Sequence, residues 1–110
     1  MTIGQIQEEV YEWSKRNFGN QPSWRPLLGA VEEVGELAHA YLKQSQGIRV
    51  NEDHRAAMVD AVADTVIFLM DFCAREGIDI QDAVEQTWAV VKQRDWTAHK
   101  AKGVGDGKDS

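Results

Sequence analysis

One cysteine in 110 residues, Cys73, excludes an internal disulfide framework, and its place in an apolar run reads as a packed thiol in a reducing compartment. Positive charge is also scarce. Twelve Lys and Arg stand against 18 Asp and Glu, a net charge of -6, which excludes general attraction to nucleic-acid polymers or to an anionic membrane. A small phosphate ligand stays possible, because a bound cation reverses the local sign. Long hydrophobic runs are missing too: the stretch from Thr65 to Met70 with its flanks falls far short of the roughly 20 residues that span a bilayer. The opening "MTIGQIQEEVYEW" has neither the basic n-region nor the apolar h-region of a secretory signal. A cytoplasmic protein is the expectation. No internal repeat occurs, and the β-branched residues do not alternate as they would in strands.

What is present is helical periodicity. Hydrophobic residues make up 43% of the chain, enough for one modest core, and a single domain is expected over residues 1–100. Ile3, Ile6, Val10 and Trp13 predict a first helix from Ile3 to about Asn17, ended by "FGNQPS". Ser23 and Pro26 suit the start of a second, from Trp24 to Gln46, which Gly47 stops. Asn51 or Asp53 caps a third that runs to about Arg75. Asp79 opens a fourth, from Ile80 to about Trp96, with Val84, Trp88 and Val91 on its apolar side. Residues 101–110, which contain the Gly-rich "KGVGDGKDS", read as a disordered tail. The fold class is all-α, a small four-helix bundle with short connections. Four such helices leave the third poorly covered, so another copy of the chain is expected to complete the bundle.

The third helix raises the chemical question. In "MVDAVADTVIFLMDFC" Asp60, Asp64 and Asp71 lie within an arc of roughly 40°. Ala57, Ala61 and Phe68 border that line on one side and Ala56, Ala63 and Ile67 on the other, so it is not a broad solvated face. A carboxylate held there needs a basic side chain, water in a cleft, or a metal ion. On the second helix, "GAVEEVGELAHAYLK" gathers Glu32, Glu33 and Glu36 opposite Leu27, Val31, Val34, Ala38 and Tyr41. Glu33 and Glu36, three apart, and Asp60 and Asp64, four apart, each project side by side within about 6 Å. Two such pairs on packed helices make an oxygen nest suited to Mg²⁺ or Mn²⁺. Asp71 lies roughly 10 Å along the axis from Asp64, too far to share an ion with it, and its expected partner is Arg94, Lys92 or another basic group. A solvated Glu face is the competing reading for the second helix. Glu36 and His39 also form E-x-x-H, half of the di-iron carboxylate motif, although neither aspartate has a histidine three residues on.

"EEVGEL" followed by "DAVADTVIFL" resembles the MazG-like, all-α nucleoside triphosphate pyrophosphohydrolases, whose signature is E-x-x-E, a spacer, then E-x-x-D on the next helix. The likeness runs from about Trp13 to Trp96, including the closing "VKQRDW". It implies that Glu33 and Glu36 are the first ligand pair and Asp64 the final acid. The third acid of the signature falls on Ala61, which cannot bind a metal, and Asp60 is the nearest substitute. The implied activity is Mg²⁺-dependent hydrolysis of a nucleoside triphosphate to the monophosphate and pyrophosphate, cleaning up the nucleotide pool, in a homodimer or dimer-of-dimers tetramer. Glu32 or Glu33 would orient the attacking water. Lys43, Lys92 and Arg94 are candidates to meet phosphates, Trp24 to stack on a base and Asn17 to read its edge, while Trp13, Trp88, Phe18 and Tyr41 are assigned to packing. Ala61 also motivates a rival, a catalytically inactive helical interaction module.

Overall fold

The computed structural model describes residues 1–94, and among them there are four helices and no strand. Helix α1 spans Ile3–Phe18, α2 Trp24–Gln46, α3 His54–Arg75 and α4 Ile80–Val91. The all-helical reading of the sequence holds. The expected tail lies outside the described residues.

Local chemistry sets the helix ends. Thr2 accepts from the Gln5 backbone at 3.1 Å while the Gln5 side chain accepts from the Thr2 N–H at 2.7 Å, a reciprocal capping box at the start of α1. At the α2 terminus, Gly47 takes the left-handed conformation, φ 68°, from which its N–H reaches the Gln44 and Lys43 carbonyls. Asp53, and not Asn51, caps α3 by accepting from the Ala56 N–H at 2.9 Å. Ser23 precedes α2 without capping it; its hydroxyl bonds the Glu76 carboxylate instead.

The described chain falls into two compact units, one ending at Ile80 and one beginning at Gln81. In the first, the short connection 47–53 turns α2 back along α3, and α1 also packs on α3. The α2–α3 seam is built of small residues. Ala30, Ala40 and Ala61 are buried, so the two backbones come close. Gly29 is the tightest point: a Cβ there would lie 2.5 Å from the Phe68 ring, so only glycine lets that ring rest on the α2 backbone.

Polar stitches join α1 to α3. Buried Gln7 donates to the Ile78 carbonyl at 2.8 Å and accepts from the Ile80 N–H at 3.1 Å. Ser14, buried, donates to Asp71 at 2.6 Å, and Arg75 donates through Nε to the other Asp71 oxygen at 2.7 Å. The remaining Arg75 nitrogens reach Ser14 Oγ at 2.8 Å and the carbonyls of Gly19 and Gln21 at 3.1 Å each. The partner of Asp71 is therefore Arg75, one turn further along its own helix, the other basic group that the sequence had left open.

Among the described residues the apolar core is small: Ala30, Ala40, Ala61 and Met70 are its buried hydrophobic residues. Residues placed inside by periodicity lie open, among them Val31 at 61%, Val34 at 51%, Tyr41 at 57% and Phe18 at 55% exposure. Periodicity identifies the apolar side of a helix correctly, but covering that side needs a surface the first unit does not supply.

In the second unit α4 ends at Val91, five residues short of the Trp96 end expected from the sequence. Gln86 donates to Asp82 across one turn at 2.9 Å. Lys92 and Arg94 follow the helix and do not lie in its last turn. Asp95 and Trp96 lie outside the described residues. No helix of the described residues is long and apolar enough to cross a membrane.

Candidate metal and phosphate cleft

A cleft of about 280 Å³ runs between α2 and α3. Glu33 and Glu36 from α2 and Asp60 and Asp64 from α3 line one end, Lys43 and His54 the other, and Ala40, Ala57 and Ala61 contribute the small side chains that keep it open. The antiparallel course of the helices puts Glu33 near Asp64 and Lys43 near the start of α3. All four predicted acids thus share one cavity, together with His39.

Their electrostatics differ from those of an ordinary surface. The carboxyl of Glu33 is raised above its usual 4.5, first by loss of water and then by the negative charges of Asp64, Glu36 and Glu32. The influence of Asp64 shows that the two helices present acids to each other. Ion pairs among the described residues include Lys15 with Glu12, Lys43 and Arg49 with Glu52, and Arg75 with Asp71. None neutralises Glu33, Glu36, Asp60 or Asp64. Also among the described residues, no three His, Cys, Asp or Glu side chains stand close enough to hold one ion together. The donor set is all oxygen, the chemistry that hard divalent ions take.

Ala61 is 3% exposed and faces the α2–α3 seam, and its carbonyl accepts from the Thr65 hydroxyl at 2.7 Å. It belongs to the wall of the cleft. Asp60, one residue earlier, lines the same cavity with its side chain exposed.

Lys43 is held where the sequence suggested a phosphate contact. Its ammonium lies 3.7 Å from Glu52, and the side chain is only 16% exposed. His54 joins the Ile48 carbonyl at 3.0 Å. Neither Trp24 nor Asn17 lines the cleft. Trp24 is 55% exposed beneath the Arg25 guanidinium, and the Asn17 amide donates back to the Trp13 carbonyl at 2.8 Å. Lys92 and Arg94 belong to the second unit.

A second cavity of about 280 Å³ opens between α1, the start of α2 and α3. Trp13 and Phe18 meet edge to face on its wall, with ring centroids 5.5 Å apart and planes at 83°. Ile67 and Phe68 add apolar surface, Gln21 and Arg25 add polar groups, and Asp64 lines this cavity as well as the cleft. Reading Trp13 and Phe18 as packing residues missed this wall. The signal available was their place in the last turns of α1, five residues apart, where the helix-breaking segment begins.

Comparison with known protein families, with curated proteins and with solved structures finds no match to this chain.

Proposed function

We propose that the chain is a Mg²⁺-dependent nucleoside triphosphate pyrophosphohydrolase that works as a homo-oligomer. One observation carries the proposal: Glu33, Glu36, Asp60 and Asp64 share a cleft in which no described basic group neutralises them, and Glu33 is raised by dehydration and by its acidic neighbours. A divalent cation relieves that repulsion and makes a polyphosphate welcome where the bare acids would repel it. Those four residues would hold it once their side chains turn toward one another across the cleft, with Mn²⁺ as an alternative to Mg²⁺.

When bound, the metal would screen the triphosphate and lower the pKa of a bound water. The protein's own part is to hold oxygen ligands on two rigid helices. Glu32, exposed and outside the cleft lining but near enough to Glu33 to help raise it, would accept a proton from an attacking water, a role Glu33 would share in its deprotonated form. Lys43 supplies positive charge at the far end of the cleft, where the leaving pyrophosphate would lie; it must exchange Glu52 for phosphate oxygen. Lys92 and Arg94 remain candidates for the same task. Reading the cleft in this way also favours nucleotide-pool clean-up as the role.

The open apolar faces support the oligomer. Val31, Val34 and Leu42 of α2 and Val59, Val62 and Val66 of α3 are all more than a third exposed. A second copy burying them would supply the core that the first unit lacks.

Incubating the protein with each common ribo- and deoxyribonucleoside triphosphate, with Mg²⁺ or with EDTA, tests the activity. Monophosphate and pyrophosphate should form only with the metal. Orthophosphate release, or no reaction with any nucleotide, overturns it. The burial of Ala61 where the third acid of the signature falls favours one second reading, an inactive helical interaction module, which predicts folding and self-association indifferent to Mg²⁺.

A further inference from the structure

The second cavity has the properties of a site for a flat ring. It is close to the lower end of the roughly 300–1,000 Å³ range of small-molecule pockets, so a single ring fits it better than a fused pair. Trp13 and Phe18 supply aromatic wall, and Phe68 is held against α2 by the lack of a side chain at Gly29. Asp71 touches the cavity, but both its oxygens are engaged, by Ser14 and by Arg75. Gln21 and Arg25 offer the hydrogen bonds: an amide with both donor and acceptor, and a guanidinium that only donates.

Asp64 lines both cavities, which makes them neighbouring compartments of one site. We propose that the second cavity takes the base of the same nucleotide whose phosphates enter the acidic cleft, and that it selects a pyrimidine, with Trp13 as stacking surface and Gln21 and Arg25 reading the ring edge. This rests on the nucleotide-hydrolase reading above. Every pyrimidine base carries a carbonyl at O2 for the Arg25 donors, whereas adenine has none; guanine carries one at O6, so it is the size of the fused rings that disfavours it. The edge of uracil, thymine or cytosine pairs a donor with an acceptor or an acceptor with a donor, and an amide that turns over satisfies either. The proposal also orients the substrate: base beside α1, scissile phosphates between the four acids, terminal phosphates toward Lys43.

Calorimetric titration of the full chain with dCMP, dUMP, dAMP, dGMP and inorganic pyrophosphate, each with Mg²⁺ and with EDTA, tests it. The pyrimidine nucleotides should bind about tenfold tighter than the purine ones, and Trp13→Ala should remove about tenfold from pyrimidine binding while leaving pyrophosphate unchanged. Trp13→Leu keeps apolar bulk without the aromatic plane and should behave as Trp13→Ala does. Gln21→Ala should narrow the gap between pyrimidines and purines. Equal or tighter purine binding, or pyrimidine binding untouched by both Trp13 variants, overturns the base site. If pyrophosphate still binds in a Mg²⁺-dependent way, the hydrolase reading survives that result; if pyrophosphate binding is absent as well, the cleft itself is misread.

Discussion

Asp64 and Asp71 lie on one line of α3, about two turns apart, and have opposite surroundings. Asp71 is buried, and Ser14 and Arg75 satisfy both its oxygens. Asp64 is exposed in a cleft that it shares with Glu33, Glu36 and Asp60, and its charge helps to raise Glu33. Through Arg75, Asp71 ties α3 to the segment that links α1 to α2. Asp64 ties nothing together. A carboxylate whose bonds are complete serves the fold, and one that raises its neighbours' pKa without compensation is available for a ligand.

The comparison breaks first at Arg75. Arg75→Ala leaves the Asp71 charge buried without its partner and should cost about 3–5 kcal/mol of stability, read from urea unfolding. A loss below about 1 kcal/mol would make the pair no better than a surface salt bridge. At the other pole, Glu33→Gln and Asp64→Asn should lower pyrophosphate release by about a hundredfold or more with helical circular dichroism unchanged. A variant that kept its activity would remove the carboxylate from the chemistry.

Between the poles lies Phe68. Gly29→Ala puts a methyl group into its ring and should cost about 1–3 kcal/mol, with Phe68 shifted into the second cavity. A wild-type melting temperature would mean that the ring moves freely.

The smallest effect is on pH. The folded protein holds the Glu33 proton more tightly than the unfolded chain does, so without metal the contribution of this group to stability is best at low pH. It declines as pH rises from the ordinary 4.5 through the raised value. The melting temperature of Glu33→Gln minus that of the native sequence should therefore increase across that interval, and Mg²⁺ should raise the native value alone. A difference that does not vary with pH would contradict the dehydration and crowding inferred for Glu33.

Much of this contrast was legible in the sequence. The spacing of Glu33, Glu36, Asp60 and Asp64 was enough to put them in one cleft, because helix geometry fixes which side chains are neighbours. The separation of Asp71 from Asp64 was also legible, since it depends only on helical rise. Its partner was not. Arg75 sits one turn from Asp71 in plain view, but choosing it over Lys92 or Arg94 requires knowing that α1 brings Ser14 to the same point. The aromatic wall stayed hidden for a similar reason: a tryptophan and a phenylalanine at a helix end look alike whether they fill a core or line a cavity. Burial failed most broadly, as at Val31 and Val34, since periodicity reports which side of a helix is apolar and not what covers it.

The stitches between α1 and α3 bear on how the molecule is assembled. α2 and α3 are joined by a short turn, whereas the bonds from Gln7 and Ser14 close loops of 57 to 73 positions. Ring closure of that length is slow compared with zipping a hairpin. During synthesis α1 leaves the ribosome first yet must wait for the last turn of α3, so kinetic φ-values should be high along the Ala30–Ala61 seam and near zero at Ser14. A nascent chain halted before Met70 would carry α1 undocked.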